Sequence, residues 1–209
     1  MKRRTAILIS GRGSNMQALI AAARDPAFPA EVALVLSNRP DAVGLATARA
    51  AGIQAEAIDH LPFRGDRTAH EAAIDATLRA ADIEVVCLAG YRRLLTPFLV
   101  NAWAGRMLNI HPSLLPSFPG LDTHARALAA GVKLHGCTVH LVTQEIDAGP
   151  ILAQAAVPVL PGDTADDLAA RVLRQEHAIY PAALAAFIDE CGVASPDPGA
   201  QLANPLRWR

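Results

Sequence analysis

The chain has 209 residues, 52% of them hydrophobic, so it can bury a sizeable core within one ordinary domain, and global disorder is excluded. Lys and Arg number 19 against 20 Asp and Glu, a formal net charge of −1. That excludes a global basic field for nucleic acid and any acidic tail, so an anionic small molecule would need a local site. Cys87, Cys137 and Cys191 are odd in number and far apart, with no CxxC pair. They fit reduced thiols better than a disulfide framework or a structural zinc. The basic start, Met1-Lys2-Arg3-Arg4, leads into an apolar stretch that ends at Gly11. It is too short for a signal segment, and no apolar run approaches the roughly 20 residues of a membrane helix. A cytoplasmic location is the expectation.

In chain order, residues 6–10 read as a strand, 14–23 as a helix, 32–37 as a strand and 42–51 as a helix. A weaker strand follows at 53–58, then a helix at 70–81, a buried strand at 84–89 and a short strand at 107–110. This alternation predicts an α/β fold with a mostly parallel sheet and helices on both faces. Residues 134–142 and 150–159 read as two longer strands joined by a turn at 147–149, pairing as an antiparallel extension. A long helix is expected over 164–190, capped by Asp163 and kinked or restarted at Pro181. The tail from Ser195 carries Pro196, Pro198 and Pro205 and reads as a loosely attached terminus.

Ligands of open α/β sheets bind beyond the carboxyl ends of the strands. Three candidate elements lie there, at 11–15, 90–95 and 109–116, and a single site is expected from them. The first, Ser10-Gly11-Arg12-Gly13-Ser14-Asn15, joins a strand to a helix. Its glycines and the helix start suit a phosphate cradle. Position 16 is Met16, so it is not the dinucleotide GxGxxG pattern, and no GK[ST] follows. A phosphate monoester fits it better than a dinucleotide. The plainer alternative is a tight βα turn capped by Ser14 or Asn15.

The third element carries the chemistry. Asn109 and His111 are two apart, which on a strand points them to one side. Pro112 and Pro116 stiffen the exit, and Leu115-Pro116 is a candidate cis bond. An amide can bond a developing oxyanion and an imidazole can carry a proton near neutral pH. A carboxylate such as Asp147 can orient that imidazole. The alternatives are a structural histidine and a turn aspartate. Ser113 lies beside His111, but no GxSxG elbow exists. His135 and His140 flank Cys137, yet strand alternation separates the two imidazoles. No metal site is expected, although His140 can still line the pocket. His177 beside Glu176 reads as a core-edge or solvent-facing residue, with Glu176 able to reach a ligand amine or hydroxyl.

Several segments together resemble the phosphoribosylglycinamide formyltransferases, a folate-dependent family of purine biosynthesis. They are Ile9-Ser10-Gly11-Arg12-Gly13-Ser14-Asn15, Leu88-Ala89-Gly90-Tyr91, residues 108–116 with Gly120, residues 139–150, and Gln175-Glu176-His177-Ala178-Ile179-Tyr180-Pro181. The resemblance extends to about Asp189. It implies a formyltransferase domain over 1–192 with a Pro-rich tail at 193–209. It also implies Asn109, His111 and Asp147 as the catalytic set. Gly13, Ser14, Asn15 and Glu176 would hold phosphoribosylglycinamide. Arg67, Arg92, Arg93, Leu94, Leu95, Asn109, Val142 and Asp147 would hold the folate. The implied cosubstrate is 10-formyltetrahydrofolate, with no metal, no nucleic acid or membrane partner, and a monomer or homodimer.

Two residues depart from the family pattern. Arg92 stands where an apolar residue is frequent, which is harmless if only its backbone meets the folate. Arg12 adds a positive charge beside the phosphate loop. The rival family members are a formyltetrahydrofolate deformylase and a tRNA formyltransferase. The deformylase carries a regulatory domain ahead of a core like this one, and here the first strand begins almost at Met1. The tRNA enzyme carries a further C-terminal domain and a basic surface. A non-enzymatic folate- or nucleotide-binding protein is the third alternative.

Overall fold

The computed structural model describes residues 2–191, and the Pro-rich tail lies outside the described residues. The chain divides into two compact units with the boundary between Asn109 and Ile110.

The first unit starts with β1 (Arg3–Ile9), α1 (Ser14–Ala23), β2 (Ala30–Ser37), α2 (Val43–Ala50) and β3 (Gln54–Ala57). After a 3-10 turn at Leu61–Phe63 come α3 (Arg67–Ala80), β4 (Val85–Leu88), α4 (Pro97–Ala102) and β5 (Met107–His111), whose last two residues cross the boundary. The first five strands run parallel, in the order β3-β2-β1-β4-β5. Central strands of a parallel sheet are covered on both faces, so they read as continuous apolar runs rather than alternating ones. Accordingly Ala6, Ile7, Leu8 and Ile9 of β1 are fully buried.

The chain winds outward from β1 to β3, then returns and winds the other way through β4 and β5. Right-handed crossovers in opposite directions send helices to opposite faces. In keeping with that, α1 packs against α2, and α3 against α4. The reversal falls between β1 and β4, and such a switch point is where α/β sheets open a crevice at their carboxyl edge.

The second unit holds α5 (Thr123–Ala129), β6 (Leu134–Leu141), β7 (Ile151–Pro158) and α6 (Ala165–Cys191). β6 and β7 are antiparallel, from Leu134 opposite Pro158 to His140 opposite Ile151, with a register shift between Val139 and His140. Gly136 is required by this pairing, because a Cβ there would stand 2.0 Å from the Ala155 carbonyl oxygen. α6 packs on both strands through buried Leu168, Val172, Ile179, Tyr180 and Leu184.

The fold class is the expected one, five parallel strands followed by an antiparallel pair and a long final helix. Three details differ. α4 and α5 are helices in stretches that carry no apolar periodicity, and α6 passes through Pro181 unbroken. The cap of α6 is Thr164 rather than Asp163. The Thr164 hydroxyl accepts from the Asp167 N–H at 3.2 Å, and the Asp167 carboxylate accepts from the Thr164 N–H at 3.0 Å. This reciprocal arrangement is a capping box. Asp163 instead binds Arg171 through both carboxylate oxygens, at 2.6 and 2.8 Å, which holds its carboxyl down at about 2.

Candidate functional site

In the first unit the carboxyl ends of β1, β2 and β4 are tied together by one hydroxyl. Ser10, just past β1, donates to Asn38 Oδ1 at 2.6 Å and accepts from the Arg92 N–H at 2.8 Å. Both Ser10 and Asn38 are buried. The Asn38 carbonyl in turn accepts from His60 Nδ1 at 2.8 Å. The glycine loop and the 90–95 loop are therefore linked across the β1/β4 switch point.

The glycine loop enters α1 through Gly13, whose φ of 68° lies in the left-handed region that favours glycine. Gly13, rather than Ser14 or Asn15, is the N-cap, and no side chain caps the helix. Ser14 and Asn15 are the first helical residues, Asn15 buried, and Arg12 is exposed. The loop is also braced from α2, where the Gly44 N–H donates to the Gly11 carbonyl at 3.0 Å. A Cβ on Gly44 would lie 2.5 Å from Ile9 Cδ1 and 2.9 Å from that carbonyl oxygen, so only glycine lets the two backbones approach.

The 90–95 loop is pinned at its far end by Glu71, which is only 2% exposed and accepts from the Thr96 N–H at 2.8 Å and the Thr96 hydroxyl at 2.5 Å. Within that loop the Arg92 and Leu94 side chains are exposed, while Tyr91, Arg93 and Leu95 are half-buried. Arg92 thus takes part in the loop through its backbone. Arg67 is exposed at the start of α3. Asn109 closes the unit, opposite Leu88 of β4 in the sheet register.

In the second unit His111 ends β5, and the chain behind it is locked. Ser113 is fully buried and its hydroxyl donates to the Ser117 carbonyl at 2.7 Å, a structural bond rather than the setting of a nucleophile. Thr138 on β6 donates to the Ser113 carbonyl and accepts from the Leu115 N–H and from Gln154 Nε2. The Thr123 hydroxyl donates to the Pro112 carbonyl at 2.7 Å. The Leu115-Pro116 peptide bond is cis.

His111 and Asp147 meet. Nδ1 of His111 lies 3.4 Å from Asp147 Oδ2, with the two side chains 8% and 11% exposed. Nε2 of His111 donates to the Phe118 carbonyl at 3.1 Å. The Phe118 carbonyl can only accept, so Nε2 carries a proton, while Nδ1 faces the Asp147 carboxylate. The Gly120 N–H donates to the same Asp147 oxygen at 2.9 Å. Asp147 itself sits at φ 53°, in the turn between β6 and β7. Gly149, two residues on, is obligatory: a Cβ there would fall 1.8 Å from the Leu141 carbonyl oxygen.

A second imidazole shares this carboxylate. His140 Nε2 lies 3.7 Å from Asp147 Oδ1, and His140 Nδ1 donates to the Leu141 carbonyl at 2.9 Å. Burial drives the pKa of His140 below the ordinary histidine value, with the Leu141 carbonyl and Asp147 opposing. His135 lies apart from this pair, packed edge-on against Phe118 and His124. Burial holds it down at about 4, and the neighbouring His124 adds to the effect. Among the described residues no group of three or more His, Cys, Asp or Glu is arranged to hold a metal ion.

Val142 is half-buried beyond β6, and Glu176 is buried on α6. Glu176 is near enough to Cys137 that its charge, after burial, helps push that thiol up to about 12. His177 is half-buried, as a core-edge residue would be.

Sequence reasoning did not single out Ser10 on its own, Asn38, Gly44 or Thr138. Gly44 had a signal, a glycine inside a helical pattern, which marks a close backbone approach. The others depend on partners 16 to 82 positions away in the chain.

Comparison with known proteins adds to this geometry. The formyl transferase family profile matches residues 3–184. The phosphoribosylglycinamide formyltransferase of Escherichia coli is 48% identical over 183 residues, 88% of this chain and 86% of that protein. A crystal structure of phosphoribosylglycinamide formyltransferase from Brucella melitensis is 57% identical with a TM-score of 0.86, covering 90% of this chain and 96% of that one. The glycinamide ribonucleotide transformylase 1 of Symbiobacterium toebii superposes with a TM-score of 0.88 at 49% identity, covering 90% and 89%. The trifunctional purine biosynthetic protein adenosine-3 of Drosophila melanogaster is 46% identical over 202 residues, but the chain spans only 15% of its length.

Proposed function

The chain belongs to the formyl transferase family, and from that premise we propose that it transfers the formyl group of 10-formyltetrahydrofolate to the amine of phosphoribosylglycinamide. The observation that carries the proposal is the His111–Asp147 pair, with Nδ1 3.4 Å from the Asp147 carboxylate and His111 two strand positions beyond Asn109. Its setting is a chain about half identical to named transferases over most of both lengths. Those names favour transfer over the hydrolytic alternative.

In this reading the glycinamide nitrogen attacks the formyl carbon, giving a tetrahedral intermediate with a negatively charged oxygen. The Asn109 amide donates to that oxygen, and the positive charge of protonated His111 stabilises it electrostatically. Asp147 holds the imidazole ring, balances its charge and helps route the proton of the attacking amine to the departing folate nitrogen. The carbon–nitrogen bond to the folate then breaks, and the folate nitrogen leaves with a proton. Every step uses groups the chain itself supplies.

Gly13, Ser14, Asn15 and Glu176 bind the ribonucleotide in this proposal, with the phosphate at the start of α1. Arg67, Arg92, Arg93, Leu94, Leu95, Asn109, Val142 and Asp147 bind the folate. Residues 1–192 act as the catalytic domain, in the cytoplasm, on small-molecule substrates, as a monomer or homodimer. Among the described residues no helix is long and apolar enough to cross a membrane.

The test is to follow formation of the deformylated folate by absorbance, with and without phosphoribosylglycinamide. Product only when the nucleotide is present is the expected result. Product without it identifies a deformylase instead, and no product with retained folate binding identifies a binding protein.

A further inference from the structure

We propose that Arg126, an exposed side chain on α5, is a positioning residue for His111 and Asp147, acting through the backbone of residues 118–122. The inference rests on the reading of that pair as the proton-handling centre.

The backbone of this loop has an inner and an outer side. On the inner side the Phe118 carbonyl accepts from His111 Nε2 at 3.1 Å, and the Gly120 N–H donates to Asp147 Oδ2 at 2.9 Å. On the outer side the carbonyls of the intervening residues go to one guanidinium. Arg126 Nη1 donates to the Pro119 carbonyl at 2.5 Å and to the Leu121 carbonyl at 3.2 Å. The guanidinium carbon also lies 5.7 Å from the centre of the Phe118 ring, which packs edge-on against His135.

The loop needs such a restraint. Phe118, Gly120 and Asp122 all have positive φ, at 54°, 80° and 55°, and two of these are not glycine. Left-handed backbone at such residues persists only where surrounding contacts over-determine it. Leu121 is 84% exposed, so it gives the loop no apolar anchor. Arg126 supplies the anchoring, because its planar fork is pre-organised to hold more than one acceptor and to lie on an aromatic face. Lysine offers one compact charge and cannot lie flat on the ring in the same way.

The Phe118 carbonyl holds a proton on Nε2 of His111 and fixes the ring plane in which Nδ1 faces Asp147. Loss of Arg126 frees that carbonyl to move, and the imidazole then loses both its tautomer preference and its aim. Misplacement of a catalytic group by about 1 Å costs on the order of a hundredfold in rate.

The experiment compares the full chain with Arg126→Ala and Arg126→Lys. The first readout is the ¹⁵N spectrum of labelled histidine, with His111 assigned by comparison with His111→Gln. The second is steady-state formyl transfer with each substrate varied. The parent is expected to show His111 with Nε2 protonated. Arg126→Ala is expected to mix the tautomers and lower kcat by about tenfold to a hundredfold, with both KM values within about twofold. Arg126→Lys is expected to fall between.

An unchanged His111 spectrum in Arg126→Ala overturns the proposal, even if the melting temperature or kcat falls, because a merely structural role would do that much. A changed spectrum in a parent that transfers no formyl group upholds the positioning role and overturns the transfer reading instead. If Arg126→Ala does not fold, Arg126→Lys decides by the same spectrum.

Discussion

His111 stands between two unlike acceptors, a backbone carbonyl on Nε2 and a carboxylate near Nδ1. The first acceptor fixes which nitrogen carries the proton of the neutral ring. The second meets the charge when both nitrogens are protonated. Removing either member of the His111–Asp147 pair therefore damages the transition state. His111→Ala and Asp147→Asn are expected to lower kcat by at least 10²–10³, the usual cost of losing an oxyanion-stabilising group. In Asp147→Asn the amide oxygen still accepts from the Gly120 N–H, so the loss reports the missing charge. Near-normal turnover in either variant, measured at saturating substrate, contradicts the assignment.

At the scale of elements, the glycine loop belongs to α2 as much as to β1 and α1. Alanine in place of glycine inside a helix ordinarily stabilises by about 1 kcal/mol. At Gly44 the added methyl would instead press on Ile9 and on the Gly11 carbonyl. Gly44→Ala is expected to displace the loop and raise KM for phosphoribosylglycinamide severalfold, with KM for the folate nearly unchanged. Equal effects on both substrates, or none, would show that the loop does not hold the nucleotide.

Element boundaries also show what the local pattern conveyed. α1 begins and ends where the periodicity places it, and β2, β4, β6 and β7 lie within a residue or two of expectation. α4 has only six residues and α5 seven, too few for an apolar stripe to repeat. α4 did carry a start signal, the Thr96 cap followed by Pro97 in the first turn. Proline inside a helix costs about 3 kcal/mol, so a kink or a restart at Pro181 was the local expectation, and the helix does not restart there. Packing overrides it, since Tyr180, Ala183 and Leu184 on either side are buried and α6 lies on β6 and β7.

At the scale of the whole molecule, the histidines set the acid limit. Burial lowers the pKa of His70, His124, His135, His140 and His177, and holds His135 at about 4. An unfolded histidine titrates near 6.5. From about 6.5 down to about 4 the unfolded chain thus binds more protons than the folded one, and stability falls as pH falls. Asp163 acts lower. Its contribution is present above about 3.8 and is lost as pH falls towards about 2. The urea midpoint is expected to drop steadily between pH 7 and pH 4.5. His135→Phe, which keeps an aromatic ring against Phe118 and His124, is expected to reduce that slope. An identical slope in the variant would place the proton uptake elsewhere.

The sequence by itself determined the alternation of strands and helices and the family. It also carried the residue types of the site, because hydrophobic period, glycine placement and the Asn109-Ile110-His111 run are local properties. It showed that Asp147 was available to His111 but not that they meet. That pairing spans 36 positions and depends on the turn between β6 and β7, where Gly149 alone fits beneath Leu141. Only the tertiary structure decided that Ser10 joins three strand ends and that Gly44 braces the glycine loop. It alone placed a backbone carbonyl on His111 Nε2 and Arg126 on the far side of that loop. Most of these are bonds to a backbone group or shape constraints. Main-chain donors and acceptors are the same at every residue, so no side-chain pattern announces which of them will be used.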